Sequence, residues 1–417
     1  MTIEIRAIEG AELHEYVDVA SSAFIDRPDI AKIVDEVRPH WDLGRCWAAF
    51  DGGRIVGTAR TWPTELTVPG NARIKASALT AVTVRTTHRR RGILRGLLAV
   101  EHAAARERDE ITSILYASEA TIYGRFGYGC AVQTASWTID VATTGIHDSA
   151  GGRSGTVEFL PIDNAAADMI RDVFERWRVS QPGEIWRRPI MWTSDLGLSG
   201  GARERWSGFL VVHRDDTGVI DGYARYHGEA KWEHRQPRST IQVDEMHGLT
   251  DEAQVALWRY LAGIDLVSTV RVDRRTPTDR IPWLLTNIRA AEPFEPGDGM
   301  WVRLHDIPAA LGARTYERSG AIVLEVISSA AGAADDGATS RIRVALDAAP
   351  DGARAIPTDR APDLTIDGAA LGAAYLGGTR LRDAVLARGV DEHRAGALAE
   401  ADALLATRDA PWCSTFF

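Results

Sequence analysis

Residues 81–98 read AVTVRTTHRRRGILRGLL. Val82-Thr83-Val84 alternates apolar and polar side chains, the two-residue period of a strand. Ile93, Leu94, Leu97 and Leu98 then follow at the spacing of one helix face. Between the two patterns stands Arg89-Arg90-Arg91-Gly92. A strand therefore ends, a basic turn with one glycine follows, and a helix begins. The first N–H groups of a helix lack internal partners, and the macrodipole makes that end positive. Such a turn suits an anion, a diphosphate above all. Gly92 lets the backbone approach without a Cβ in the way. Arg89, Arg90, Arg91 and Arg95 can add charge-assisted hydrogen bonds to phosphate oxygens. A solvated arginine face, a nucleic-acid patch and some other phosphate ligand compete as readings of the same run.

Composition narrows the choice. The net charge is -10, so the arginine run sits in an acidic whole. That disfavours non-specific nucleic-acid binding and suits cationic substrates, which the field would steer inward. With 417 residues the chain exceeds one ordinary core, and two or three domains are expected. Three cysteines, Cys46, Cys130 and Cys413, show neither metal-ligand spacing nor a disulfide framework. They predict a reducing compartment and no metal. The opening MTIEIRAIEG lacks the apolar core of a signal peptide, and no run approaches the ~18 apolar residues of a membrane span. The expectation is a cytoplasmic protein, or one exported without a classical signal.

Outward from the central stretch, residues 2–8 alternate as a strand, and 12–23 and the segment to about Arg38 read as helices, with Pro28 suited to a first turn. Trp47–Phe50 and Ile55–Thr61 flank Asp51-Gly52-Gly53 as a hairpin. Residues 66–69 and 74–84 add strand before the basic turn, the helix runs to about Arg108, and 111–117 and 132–141 are further strands. The pattern V-x-V-x-x-x-x-R-R-R-G-I-L resembles motif A of the GNAT acyltransferases (Gcn5-related N-acetyltransferases), and the element order agrees. Leu94 stands where that motif carries a small residue. The resemblance implies that the strand's main chain pairs with the pantetheine arm of acetyl-CoA and that the turn holds its diphosphate.

A second stretch, YASEATIYGRFGYG (116–129), holds three tyrosines. By itself it reads as a glycine-punctuated loop with aromatic packing, or as the source of a phenol that protonates a departing thiolate. An ordinary tyrosine, with a pKa of ~10, is protonated at neutral pH and can donate. With THRRRGILR (87–95) and ASEATIYGRFGYG (117–129), the chain resembles the enhanced intracellular survival (Eis) acetyltransferases, which acetylate aminoglycosides and other amines. The resemblance implies that Val82, Thr83, Val84, Arg90, Arg91, Gly92, Ile93, Leu94, Arg95, Ser118 and Glu119 contact acetyl-CoA. It makes Tyr123 the general acid, and it implies a homohexamer.

Residues 140–155, rich in Gly, Ser and Thr, read as a linker. Beyond it 164–178 is helical, 207–214 and 219–226 form a hairpin, 241–246 is a strand and 251–264 a helix with Thr250 as N-cap. Here the strand-to-helix turn carries Asp251 and Glu252 where a diphosphate would need donors and positive charge. The unit reads as a GNAT fold unable to hold coenzyme A at that turn, and VDEMHGLTDEAQVALWRYL (243–261) resembles the Eis middle domain. PFEPGDG (293–299) reads as a second linker. From Met300 the texture turns to alanine and glycine, and DLTIDGAALG (363–372) with YLGG (375–378) resembles the sterol-carrier-protein fold that ends Eis proteins.

The chain closes on PWCSTFF (411–417), an apolar end, whereas termini normally fray unless docked. Anchoring of the tail is one reading. In Eis proteins the terminal carboxylate is the base, and by that resemblance Phe417 supplies the group here, directly or through water.

The fold expected is α/β: tandem GNAT folds with mixed sheets flanked by helices, the second degenerate, then a sterol-carrier-protein-like α+β domain. The divisions are 1–145, 146–299 and 300–417. The function expected is acetyl-CoA-dependent N-acetyl transfer to polycationic small-molecule amines such as aminoglycosides. A protein lysine acetyltransferase and a non-catalytic lipid- or ligand-binding protein are the alternatives. Asp26, Asp29 and Glu65 are candidates for holding ammonium groups in the acceptor cleft.

Overall fold

The computed structural model describes residues 3–199, 205–329, 339–383 and 390–417. Three large sheets organise the chain. The first runs in the order Glu4–Ala7, Cys46–Asp51, Arg54–Thr67, Arg73–Val84, Thr112–Tyr116, Met300–Leu304 and Gly129–Cys130. Helices Leu13–Ala23, Ile30–Val37 and Ile93–Glu107 accompany it. Asp29 caps the second of these through the Lys32 N–H, so Pro28 stands just ahead of the helix rather than in its first turn.

The second sheet runs Ala291–Asp298, Gln133–Asp140, Val267–Arg275, Ser239–Gly248, Ile220–Glu229, Phe209–Arg214 and Thr156–Phe159. Asn164–Arg178 and Asp251–Ala262 are helical, and Thr250 caps the latter by accepting from the Ala253 N–H. The third sheet has the order Gly352–Pro357, Thr339–Ala349, Gly320–Ser329, Leu364–Asp367 and Val390–Glu392.

Two strands lie elsewhere than their sequence position suggests. Gln133–Asp140, read as the last strand of the first unit, belongs to the second sheet. There Trp137 and Ile139 share a core with Val270 and Val272. Met300–Leu304, read as the start of the third unit, pairs with Thr112–Tyr116 and Gly129–Cys130 in the first sheet. The divisions expected at 145 and 299 are thus crossed by strands. Alternation specifies a strand and its buried face but not which sheet completes that face. The expected linker at 293–299 is also strand: Ala291–Asp298 pairs with Gln133–Asp140 at a sheet edge. Proline is tolerated on an edge, where its missing N–H would have faced solvent. Pro293 and Pro296 therefore do not break it.

The alanine and glycine texture of the third unit has a packing cause. Helix Gly368–Ala374, GAALGAA, is buried throughout. A Cβ on Gly372 would clash with the Val302 carbonyl, so the helix backbone lies directly against the first sheet. Leu371 and Ala374 join Val302, Ile114 and Ala78 in one core. The third unit and one face of the first sheet are thereby fused.

Candidate functional site

The site lies where the first sheet splits. Arg73–Val84 and Thr112–Tyr116 run parallel and pair from Ala76↔Thr112 to Ala78↔Ile114. Beyond Ala78 the longer strand continues to Val84, paired on its other side with Arg54–Thr67. A register shift at Thr58/Arg60, with Ala81 at φ 51°, bends it there. Bulges increase local twist and end pairing. Among the described residues no strand pairs with 79–84 on the side facing Thr112–Tyr116. That edge, with Val82, Thr83 and Val84, offers backbone donors and acceptors to an extended ligand.

The basic turn follows at once. Gly92 caps helix Ile93–Glu107 in the left-handed region, φ 76°, and a Cβ there would point into open space. Conformation, not crowding, is what requires glycine. Arg90 also has positive φ, 63°. The first helical bond runs from the Gly96 N–H to the Gly92 carbonyl at 3.0 Å, so the N–H groups of Ile93 and Leu94 precede the ladder. Asp51 steadies the turn from beneath, 3.3 Å from His88 Nε2 and 3.4 Å from Arg91 Nη1. Arg89, Arg90 and Arg91 remain exposed. A positive helix end with exposed guanidiniums beside it can take a diphosphate.

Past Thr112–Tyr116 come exposed Ser118 and Glu119, then the short helix Ala120–Tyr123. Tyr123 is buried, its ring edge-on to Tyr128 at 6.0 Å. Burial pushes its phenol up to about 12, and the Glu119 carboxylate adds to the shift. The group is therefore a neutral donor across the physiological range. Burial also pushes the nearby Cys130 thiol up to about 11, which leaves little thiolate for covalent chemistry.

Phe417 reaches this place from the far end of the chain. Its ring packs edge-on against Trp62 at 5.6 Å and Tyr116 at 5.2 Å. The Tyr116 hydroxyl donates to the Thr415 carbonyl at 2.8 Å, and Phe416 lies 4.9 Å from the Tyr116 ring. Tyr116 is the last residue of its strand, so the tail reaches the strand end from which the turn carrying Tyr123, seven residues further on, departs.

The wall beside Phe417 is cationic. The Arg188 guanidinium lies 4.9 Å from the Trp62 ring centre and that of Arg60 4.1 Å from Trp41. Burial lowers the pKa of both, that of Arg188 to about 10 with the Arg60 charge contributing. Neither Nε–H has a partner among the described residues. The proposed ammonium ligands are partly committed elsewhere. Asp29 caps its helix and lies 3.6 Å from Lys32, and Glu65 pairs with Arg178 at 3.0 Å. Asp26 is exposed.

Sequence reasoning missed a buried polar group behind Tyr128. Glu101 accepts from Ser77 at 2.9 Å and Ser113 at 3.1 Å, and His102 Nε2 lies 3.0 Å from the Tyr128 hydroxyl. Burial pushes the Glu101 carboxyl up to about 7. The signal was present, because Glu101 and His102 fall four residues after the core-facing Leu97 and Leu98.

In the second sheet the corresponding turn carries a carboxylate bound to a neighbouring loop. The Glu252 Oε1 accepts from the N–H groups of Arg153 at 2.7 Å and Ser154 at 2.9 Å, and from the Ser154 hydroxyl. The Gly152 N–H, together with these bonds from Ser154 and Arg153, holds its carboxyl down at about 2, so a negative charge stands at that helix start.

Residues 4–131 match the family model of an acetyltransferase (GNAT) domain, 179–304 that of a second acetyltransferase (GNAT) domain, and 307–414 that of a sterol carrier protein domain. An N-acetyltransferase of Streptomyces avermitilis is 37% identical over 424 residues, covering 100% of this chain and 99% of its own. The N-acetyltransferase Eis of Mycobacterium tuberculosis is 34% identical over 341 residues, 80% of this chain and 78% of that protein. A crystal structure of an Eis protein from Mycobacterium abscessus superimposes with a TM-score of 0.84 at 32% identity, covering 99% of this chain and 100% of that one. No helix among the described residues is long and apolar enough to cross a membrane.

Proposed function

This chain belongs to the Eis family of GNAT N-acetyltransferases, and on that premise we propose that it transfers acetyl from acetyl-CoA directly to amines of polycationic small molecules such as aminoglycosides, at one or several positions. The open strand edge beside Thr112–Tyr116, with Phe417 packed on Tyr116 at that strand's end and Tyr123 in the turn that follows, carries the reading. Val82, Thr83 and Val84 would pair with the pantetheine arm. Arg90, Arg91, Gly92, Ile93, Leu94 and Arg95 would hold the diphosphate, and Ser118 and Glu119 would line the thioester end.

The amine nitrogen attacks the thioester carbonyl, the N–C bond forms and the C–S bond breaks. The Phe417 carboxylate takes the proton from nitrogen, directly or through water, and the Tyr123 phenol gives a proton to the leaving thiolate. A carboxylate is a weak base with a pKa of ~3.5; packing against Trp62 and Tyr116 would strengthen it by desolvation, an effect that the Arg188 charge beside Trp62 opposes. The net charge of -10 supports steering of cations toward the protein.

One observation favours a singly charged amine, such as a lysine side chain of a peptide or protein. Arg188 lies against Trp62, which packs on Phe417, with the Arg60 charge near Arg188, and every further positive charge on an acceptor beside Phe417 would meet that repulsion. Coenzyme A release from acetyl-CoA with kanamycin, neomycin or a lysine peptide tests both readings. Release with none of them contradicts both.

The three cysteines are free, which suits a reducing cytoplasm. The homohexamer is carried as part of the proposal. Exposed Phe159 and Phe209, at the edge of the second sheet, support a subunit contact, and light scattering reads the mass.

A further inference from the structure

The second sheet splits as the first does. Ser239–Gly248 and Val267–Arg275 run parallel, and their pairing ends at Val243↔Val272. The first strand continues to Gly248, paired only with Ile220–Glu229 on its other side among the described residues. In the first sheet the equivalent gap is the cleft just described. In the second it holds a piece of the chain itself.

The segment Pro411–Thr415 lies there. The Trp412 indole N–H donates to the Arg274 carbonyl at 2.6 Å, and its backbone N–H to the Pro182 carbonyl at 2.9 Å. Its ring lies 5.1 Å from Trp177 and 5.6 Å from His247, with the Arg275 guanidinium 4.2 Å from its centre. Ser414 donates both its N–H and its hydroxyl to Glu184 Oε2 at 2.7 Å. The Thr415 hydroxyl donates to Glu184 Oε1 at 2.6 Å and accepts from Arg187 Nε at 2.7 Å. Arg187 is held in turn by Glu245 at 2.6 Å, a residue of the strand past its last parallel pair. Burial works against the Glu245 charge, but Arg187, His247 and Arg225 outweigh it and hold the carboxyl well below its usual range. Glu184, Arg187 and Glu245 are all buried, and fully paired buried charges fix a geometry that a broken pair would not.

We propose that the cleft of the second domain is a socket for Pro411–Thr415, and that Glu184 and Arg187 are positioning residues that set Phe416 and Phe417 against Tyr116 and Trp62. The domain whose turn repels a diphosphate keeps the fold's split sheet and binds peptide in it. The socket thereby makes the second domain part of the first domain's site, since the residues that reach Tyr116 and Trp62 leave directly from it. The catalytic consequence rests on the reading of Phe417 as base; the docking does not.

The test uses the full chain in three variants: Trp412→Ala, Glu184→Gln and Thr415→Val, the last nearly isosteric and chosen to spare folding. Carboxypeptidase release of Phe417 and Phe416 under native conditions reads docking without any activity, and each variant should speed it by about tenfold or more. Single-turnover acetyl transfer should fall by up to about a hundredfold, because reacting groups tolerate little misplacement. The KM for acetyl-CoA should stay within about twofold, since the turn that holds it is untouched, and Trp412→Phe should recover most of the rate by keeping a ring in the socket. Release at the wild-type rate in all three variants overturns the socket. Faster release with an unchanged transfer rate keeps the socket and overturns Phe417 as the base.

Discussion

The Tyr116 hydroxyl donates a 2.8 Å hydrogen bond to the Thr415 carbonyl, across a separation of 299 residues. Tyr116 ends the strand that parts from Arg73–Val84, and Thr415 is gripped by Glu184 and Arg187. One bond therefore ties the first domain's split sheet to a segment anchored in the second. The rings of Phe416 and Phe417 close on the same tyrosine.

Arg90→Ala should weaken acetyl-CoA binding by about tenfold to a hundredfold, the cost of lost charge-assisted hydrogen bonds. Amine binding should be nearly unchanged. Titration calorimetry checks it, and an unaltered affinity would identify the arginines as solvated surface.

One acetyl-CoA should bind per chain. Glu252 already occupies the N–H groups of Arg153 and Ser154 and puts a charge at the second turn. Equilibrium dialysis giving a stoichiometry near two would contradict this account of the second domain.

Tyr123→Phe keeps the ring, removes the proton, and should slow transfer by roughly 10²–10⁴-fold. The wild-type phenol is raised to about 12 by burial and the Glu119 charge, so it is protonated below that pH and loses its proton only above it. The rate should accordingly show no alkaline fall from this group near pH 10, where an ordinary tyrosine titrates. Glu119→Gln removes one raising charge and should move any alkaline limb to lower pH.

Glu101 yields a stability prediction. Its carboxyl is raised from 4.5 to about 7 by burial, so the folded state holds the proton more tightly than the unfolded state does. The associated stability is present below about pH 4.5 and is lost as pH rises through 7. The loss is on the order of 3 kcal/mol by pH 8. Glu101→Gln should flatten that part of the pH dependence in urea unfolding. An unchanged slope between pH 5 and 8 would place the titration elsewhere.

Local patterns were legible in this chain and long-range partnerships were not. The turn at Arg89–Gly92, the cap at Thr250 and the helix Asn164–Arg178 follow from residues within a few positions of each other, and the structure has all three. The strand at 133–140 was visible, but its place in the second sheet depends on Val270 and Val272, more than a hundred residues away. Pro293, Gly297 and Gly299 read as a linker because nothing local distinguishes a tolerant sheet edge from a loop. The site divides the same way. Tyr123 and the arginines lie in compact motifs, whereas Glu184 and Arg187 meet Ser414 and Thr415, and Glu245 meets Arg187, only through the fold. Single charged residues scattered along a sequence resemble surface until a structure buries them together.

The most direct test of the central claim is the single-turnover rate of acetyl transfer by a chain extended with a short Gly-Ser tail after Phe417. The extension leaves the Phe417 ring against Trp62 and Tyr116 but converts its carboxylate to an amide. Wild-type acetyl-CoA binding with transfer slowed by about a hundredfold or more is expected, the cost of a missing or displaced general base. Full-rate transfer by the extended chain, with acetyl-CoA bound, would contradict it and require the proton to leave the amine by another route.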